Sequence, residues 1–347
     1  MTNRYIEDLQ AQPAAMRATL ESLSPTSPSL RNVAALWASR SWSRIVLTGM
    51  GASFSALMPL HYMLAQAGLP VMSVEASELL HYQLPLITPD TLLVIASQSG
   101  SSVEIVMLLE ATSGISRVAI TNTPDSPLAL QADVVLLTQA GDEYTVGCKT
   151  FVTTIAAGLL LGAQISAPAE LPAVHASLKD ASDKMAEFLS DLFELRDQYD
   201  TIIGEAKPLI VTGRGSSMAA TTNGALVIKE STKYHAHGMS VASFRHGPFE
   251  IVREGITVLV FQGAKKTVEL NRRLARDVVA AGGRAVWIGC DAPQAEGVQW
   301  IKIPQVDEIA RPLVEILPMH VLSLTIAKRI GFEAGKFLHG GKVTTVE

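Results

Sequence analysis

Four serines and a glutamine fall within six residues at Ser97-Gln98-Ser99-Gly100-Ser101-Ser102. They follow the apolar run Leu92-Leu93-Val94-Ile95-Ala96 and precede Val103-Glu104, which reads as a buried strand, a hydroxyl-rich turn and a helix start. The unpaired N–H groups and the dipole of a helix start favour an anion. Each charge-assisted hydrogen bond to a phosphate is worth roughly 1.5 to 3 kcal/mol, so about four or five of them hold a phosphorylated small molecule. One serine here would be read as a helix cap; this cluster exceeds what capping needs.

A second set of reactive side chains lies in the other half of the chain. Glu230 follows the apolar face of the helical run Gly224–Thr232, His235 and His237 come after that run, and His246 sits in Phe244-Arg245-His246-Gly247-Pro248. Singly these are ordinary surface residues. With Lys342 near the chain end they supply a carboxylate base, a histidine acid/base and an amine nucleophile.

The elements that must position these groups are written twice. Ile45-Val46-Leu47-Thr48-Gly49-Met50-Gly51-Ala52-Ser53 recurs as Leu209-Ile210-Val211-Thr212-Gly213-Arg214-Gly215-Ser216-Ser217, an offset of 164 positions, and each copy opens its own alternating pattern. In the first half, apolar runs at 91–96, 117–121 and 132–137 alternate with helical periods such as 103–111. In the second, runs at 256–261, 284–289 and 300–303 alternate with helices such as 268–281. Two parallel sheets flanked by helices are expected, a three-layer α/β/α arrangement in each half. At the offset of 164 the counterpart of the serine loop is Phe261-Gln262-Gly263-Ala264-Lys265-Lys266, without hydroxyls. Capping would be needed in both copies, so the serines point to a site in the first half. Pro168 and Pro172 mark a break, and 177–195 reads as a connecting helix. The expected organisation is an N-terminal helical segment (1–34, with a helix at 5–23 interrupted by Pro13), a first domain (35–168), a connector (169–198), a second domain (199–335) and a tail (336–347) carrying Lys342.

Length and composition agree with this. The 347 residues exceed one ordinary core, and 48% hydrophobic with 18% charged residues describes a compact protein. A net charge of -5 without a basic block argues against nucleic acid. Only Cys148 and Cys290 occur, in no disulfide or zinc spacing, which favours the cytoplasm and no metal. The first residues lack an apolar signal core and the later apolar runs are broken, so neither export nor membrane crossing is expected. A dinucleotide fingerprint at Gly49-Met50-Gly51 fails because Phe54 replaces its third glycine.

The ordered motifs SQSG, ALVIKES, YHAHG and RHGP, with the closing K-x-T-T-V-E, resemble the isomerase half of glutamine-dependent glucosamine-6-phosphate synthase, a pair of SIS (sugar isomerase) domains. The opening stretch, with Gln12-Pro13, Arg17 and Leu20, is similar to the helix that precedes the first SIS domain there. The resemblance implies that Ser97, Gln98, Ser99 and Ser102 bind phosphate, with Ser102 in place of a threonine and Ser101 in place of a glutamate. It places Ser53 in contact with substrate, and Val146 and Cys148 beside the sugar, Cys148 standing where the family uses serine next to a one-residue deletion. Glu230 is then the group that moves a proton between C1 and C2, His246 opens the ring across a dimer interface, and Lys342 forms the Schiff base. For that attack the lysine must be neutral, through burial or a nearby cation.

Departures narrow the expectation. Asn223 and Ser243 stand where the synthase has glutamates, and Gly340-Gly341 replaces Leu-Ala before the lysine. Met1-Thr2-Asn3 offers no N-terminal cysteine nucleophile, so glutamine is not expected as the direct nitrogen source. The resemblance therefore implies a stand-alone isomerase, deaminase or deglycase of sugar 6-phosphates that needs no cofactor and works as a homodimer or larger homo-oligomer. The alternative is a non-catalytic phosphosugar sensor.

Overall fold

The computed structural model of the protein describes residues 3–205 and 208–344. Two compact units are formed, one from Ala11–Ser182 with the chain from His339 on, the other from Asp183–Leu338 with the residues up to Gln10. Each is built on one five-stranded parallel sheet.

In the first unit β1 (Arg44–Gly49), β2 (Val71–Glu75), β3 (Thr91–Ala96), β4 (Arg117–Thr121) and β5 (Val134–Leu137) lie in the order β2-β1-β3-β4-β5. Every residue of β3 and β4 is buried, as expected for strands covered on both faces. On one face Val46, Leu93, Ile95 and Ala119 pack with Ile105, Leu108 and Leu109 of the helix Val103–Ala111 and with Leu128. On the other lies the helix Lys149–Ser166, which packs with Pro28–Ala38, Gly51–Ala56 and Met58–Gln66. This is the one described helix long and apolar enough to cross a membrane, a run the sequence reading did not expect, and 89% of it is buried inside the protein. A helix apolar all round is also what the centre of a large domain requires.

In the second unit β6 (Leu209–Gly213), β7 (Ala236–Ser240), β8 (Thr257–Phe261), β9 (Arg284–Gly289) and β10 (Gln299–Lys302) lie in the order β10-β9-β8-β6-β7. Counted from the opposite edge this is the order of the first sheet, so the duplication extends to topology. Trp287, Phe244, Val258 and Val260 pack with Leu274, Ala275 and Val278 of the helix Val268–Ala280. The helix Met218–Thr232 packs against Arg311–Ile330.

Three local features differ from the sequence reading. The edge strands β2 and β7 carry no continuous apolar run because they are only partly buried. The first helix, Arg4–Ser22, continues through Pro13, while Tyr5, Leu9, Met16 and Leu20 are buried along it at helical spacing. The Pro13 carbonyl accepts a hydrogen bond from Ser182 Oγ at 3.0 Å. The connector is two helices, Leu171–Ser190 and Leu192–Ile203. At the break Ser190 Oγ donates back to Glu187 O at 2.7 Å, a side-chain bond that competes with helix continuation.

Within Arg311–Ile330, Glu315 is wholly buried and accepts from Ser217 Oγ at 2.9 Å. Burial pushes its carboxyl up from 4.5 to about 7, against the smaller opposing pull of the Ser217 hydroxyl. Protonated Glu315 favours the folded state, so its contribution is complete below pH 4.5 and is lost as pH rises to about 7, in total about 3 kcal/mol. Glu315→Gln should therefore flatten the fall in stability between pH 5 and 8. Urea unfolding at pH 5, 6 and 8 measures this, and parallel curves for variant and wild type would refute it.

Candidate active site

Between β1 and β3 the strand order reverses, so the chain leaves these neighbours toward opposite sides and a crevice opens at their carboxyl ends. Gly49 pairs with Ala96 there, and a Cβ on Gly49 would lie 2.6 Å from Ala96 O. Ser53 stands in the first turn of the helix Gly51–Ala56 that follows β1, and the serine loop follows β3. The sheet thus sets Ser53 and the loop on the two sides of one crevice.

The loop is shaped by its own hydroxyls. Ser97 Oγ accepts the Gly100 N–H at 3.1 Å, and Ser99 Oγ accepts the Ser101 N–H at 3.3 Å. Gln98 O accepts from Asn122 N at 3.1 Å and from the hydroxyls of Thr121 and Thr123 at 3.3 Å each. A hydroxyl that accepts one bond still has its proton to donate, so Ser97 and Ser99 keep a donor for an anion. Ser102 has the extended backbone of a helix cap, φ -64° and ψ 151°, but its side chain makes no capping bond to the helix Val103–Ala111. Gly100 is required by geometry. Its φ is +61°, and a Cβ would meet Ser126 Oγ at 2.2 Å.

The fold corrects the alignment of the two loops by one residue. Ser97 N donates to Ile120 O in the first sheet and Gln262 N to Ile288 O in the second, so Ser97 corresponds to Gln262 and Ser102 to Thr267. The terminal hydroxyl is therefore kept in both copies. Those at 97, 99 and 101 are replaced by Gln262, Ala264 and Lys266. The second loop is tied by its own unit's side chains instead. Lys265 N donates to Glu308 Oε2 at 2.8 Å, and Asn271 Nδ2 to the carbonyls of Phe261 and Gln262 at 3.1 Å each.

Lys342 belongs to the same unit as the serine loop. Its Nζ donates to Glu143 Oε2 at 2.6 Å and to Thr145 O at 2.8 Å. Two residues on, Thr344 O accepts the N–H of Val103, the first residue of the helix after the loop, at 3.3 Å. The tail therefore ties the candidate nucleophile to the candidate phosphate site. Thr345, Val346 and Glu347 of the closing motif lie outside the described residues. The group beside Lys342 is a carboxylate and not the expected cation. Burial alone would raise the Glu143 carboxyl. The Lys342 charge and hydrogen bond, with bonds from Thr150 and Cys148 N, together outweigh it and hold it below the ordinary carboxylate range. Glu143 escaped the sequence reading because adjacent acids in Gly141-Asp142-Glu143-Tyr144 look like a solvated loop. Val146 and Cys148 are both buried, Cys148 directly preceding the helix Lys149–Ser166.

Glu230 and His246 belong to the other unit. Glu230 is half-buried in the last turn of Met218–Thr232, and Lys233, in the left-handed conformation (φ 61°), closes that helix. His246 is exposed at the end of the helix Val241–Arg245, as are His235 and His237 in their stretch. Asn223 is buried in Met218–Thr232, while Ser243 is exposed and its N–H bonds Ser240 Oγ at 3.0 Å. Among the described residues no cluster of three or more His, Cys, Asp or Glu side chains is arranged to hold a metal.

Residues 40–164 match the SIS domain family. Over 316 residues the chain is 28% identical to a glutamine–fructose-6-phosphate aminotransferase (isomerizing) of Pyrococcus horikoshii, covering 88% of this chain and 52% of the relative. The chain thus spans about half the length of the curated relatives it matches. In fold it is similar to the C-terminal domain of the glucosamine-fructose-6-phosphate aminotransferase of Francisella tularensis, with TM-score 0.84 and 20% identity over 97% of this chain and 99% of that one. It is likewise similar to a glucosamine-6-phosphate deaminase of Thermotoga maritima, with TM-score 0.78 and 16% identity over 99% and 100%. Residues 40–164 thus match one SIS domain, and the second sheet repeats the strand order of the first.

Proposed function

We propose that this protein is a phosphosugar isomerase that acts as a deaminase or deglycase on amino-sugar or glycated-amine 6-phosphates. The observation that carries the reading is the serine loop at the crevice between β1 and β3, tied by Val103 and Thr344 to the tail that bears Lys342. The names of the relatives support it, since fructose 6-phosphate and glucosamine 6-phosphate stand in them.

In this reading Ser97, Gln98, Ser99 and Ser102 take the phosphate end of the substrate, Ser53 contacts the substrate, and Val146 and Cys148 wall the sugar. His246 assists ring opening. Glu230 removes the proton from one of C1 and C2 and returns it to the other, which interconverts aldose- and ketose-type forms. Lys342, once neutral, adds to the open-chain carbonyl as an amine and water is lost. One water then hydrolyses the carbon–nitrogen bond of the substrate imine and frees the amine, and a second cleaves the bond to Lys342, which returns the lysine and releases the sugar phosphate. The roles of Glu230, His246 and Lys342 come from the resemblance, as does a homodimer in which His246 serves the partner's site. A reducing cytoplasm suits the two free thiols, Cys148 and Cys290.

Turnover tests the reading directly. Purified protein incubated with glucosamine 6-phosphate, fructosamine-type 6-phosphates, or fructose 6-phosphate plus ammonia should release amine or isomerise sugar. Tight phosphosugar binding without turnover on any of these would make it a sensor instead. Glu230→Gln should lower kcat by about 100-fold or more and leave phosphosugar binding intact, because it removes the base while preserving shape. Full activity in that variant would remove Glu230 from the mechanism. Gly100→Ala forces the loop off Ser126 and should weaken phosphosugar binding by about 10-fold or more, the loss of one charge-assisted hydrogen bond. Calorimetric titration reads it, and unchanged affinity would move the phosphate elsewhere.

A further inference from the structure

Glu143 lies outside the residues that the resemblance implicates, yet its carboxylate accepts five hydrogen bonds. Its side chain is 0% exposed. Oε1 accepts the N–H groups of Cys148 (2.9 Å), Lys149 (2.7 Å) and Thr150 (3.2 Å) at the start of the helix Lys149–Ser166. Oε2 accepts the Thr150 hydroxyl and Lys342 Nζ, each at 2.6 Å. Capping a helix explains the first three bonds. It does not explain the last, which brings a cation from 199 residues away to a buried oxygen. On removal of one partner a buried ion pair leaves an uncompensated charge, so each member strongly constrains where the other sits.

We infer that Glu143 is the positioning residue of Lys342. Its carboxylate docks the C-terminal segment and fixes the amino group at the start of the Lys149 helix. The docking stands on geometry alone; only its consequence for turnover rests on the function proposed above. Lys342 and Thr344 are two residues apart, so a tail fixed at Glu143 also presents the Thr344 carbonyl to Val103, at the start of the helix after the serine loop. Rotation of the Lys342 side chain is limited at both ends, by this backbone contact and by the two acceptors Glu143 Oε2 and Thr145 O. An amine so held meets its reaction partner in one orientation, which is how a positioning group raises kcat.

Glu143→Gln is the test, since the amide keeps the size and an oxygen for the three N–H groups but loses the charge. Without any substrate, Lys342 in the variant should react with acetic anhydride about 10-fold faster than in the wild type, as an unlatched segment does. The exposed Lys265 and Lys302 serve as references within the same protein. The Val103 amide should exchange its hydrogen faster as well. Should Glu143→Gln fail to fold, Lys342→Met breaks the same contact without touching the helix cap and should free the Val103 amide alike. Wild-type exchange at Val103 in a folded variant, or wild-type labelling of Lys342 in folded Glu143→Gln, overturns the inference. Where the wild type turns over, Glu143→Gln should lower kcat with KM changed by less than about 3-fold, the pattern of an interaction made in the transition state. A rise in KM alone would count against it. The labelling and exchange arms need no turnover, so they can succeed or fail whatever the fate of the proposed function.

Discussion

A parallel strand cannot return to its neighbour through a tight turn; it needs a crossover, and the crossover helices cover both faces of the sheet. Every main feature of this protein follows from that constraint. The strands must be apolar throughout, as β3 and β4 are, and all of their carboxyl ends fall on one edge. Where the crossover direction changes, between β1 and β3, no helix bridges the edge, and the loops that follow the two strands are left beside one crevice. The serine loop and Ser53 stand there, after the two strands between which the order reverses.

A buried carboxylate opposes the apolar logic of such a unit, and Glu143 shows how it is accommodated. Desolvation of a charge costs several kcal/mol even after relaxation. Three backbone N–H groups that would otherwise be orphaned at the start of Lys149–Ser166, one hydroxyl and one ammonium compensate for it. The same group therefore caps the central helix of the unit and receives the tail, so local helix stability and the position of Lys342 depend on one side chain.

The duplicated scaffold carries different loop chemistry in its two copies. Where the first sheet presents serine hydroxyls, the second closes its loop with Glu308 and Asn271, so backbone groups that could meet a ligand are satisfied internally. Glu315 and Ser217 continue this internal pairing in the second unit. Identical strand order with different loop chemistry is what a topology conserved for its core and freed at its strand ends would produce.

Much was legible in the chain itself. β3, β4 and β9 and the helix Val103–Ala111 coincide with runs read from hydrophobic period alone, because a strand buried on both faces or a packed helix writes its pattern locally. The serine loop was legible for the same reason, its hydroxyls being adjacent in sequence. The edge strands β2 and β7 were not, since partial burial leaves a mixed pattern. Nor was the one-residue change of register between the two loops, which only the strand hydrogen bonds reveal. By itself the sequence determined two α/β repeats, a serine-rich loop in the first, and the presence of a lysine near the end. Only the tertiary structure decided that this lysine meets Glu143 and that the tail carbonyl meets Val103. Those contacts join segments far apart in the chain, and nothing in local spacing encodes which buried acid a distant cation will reach.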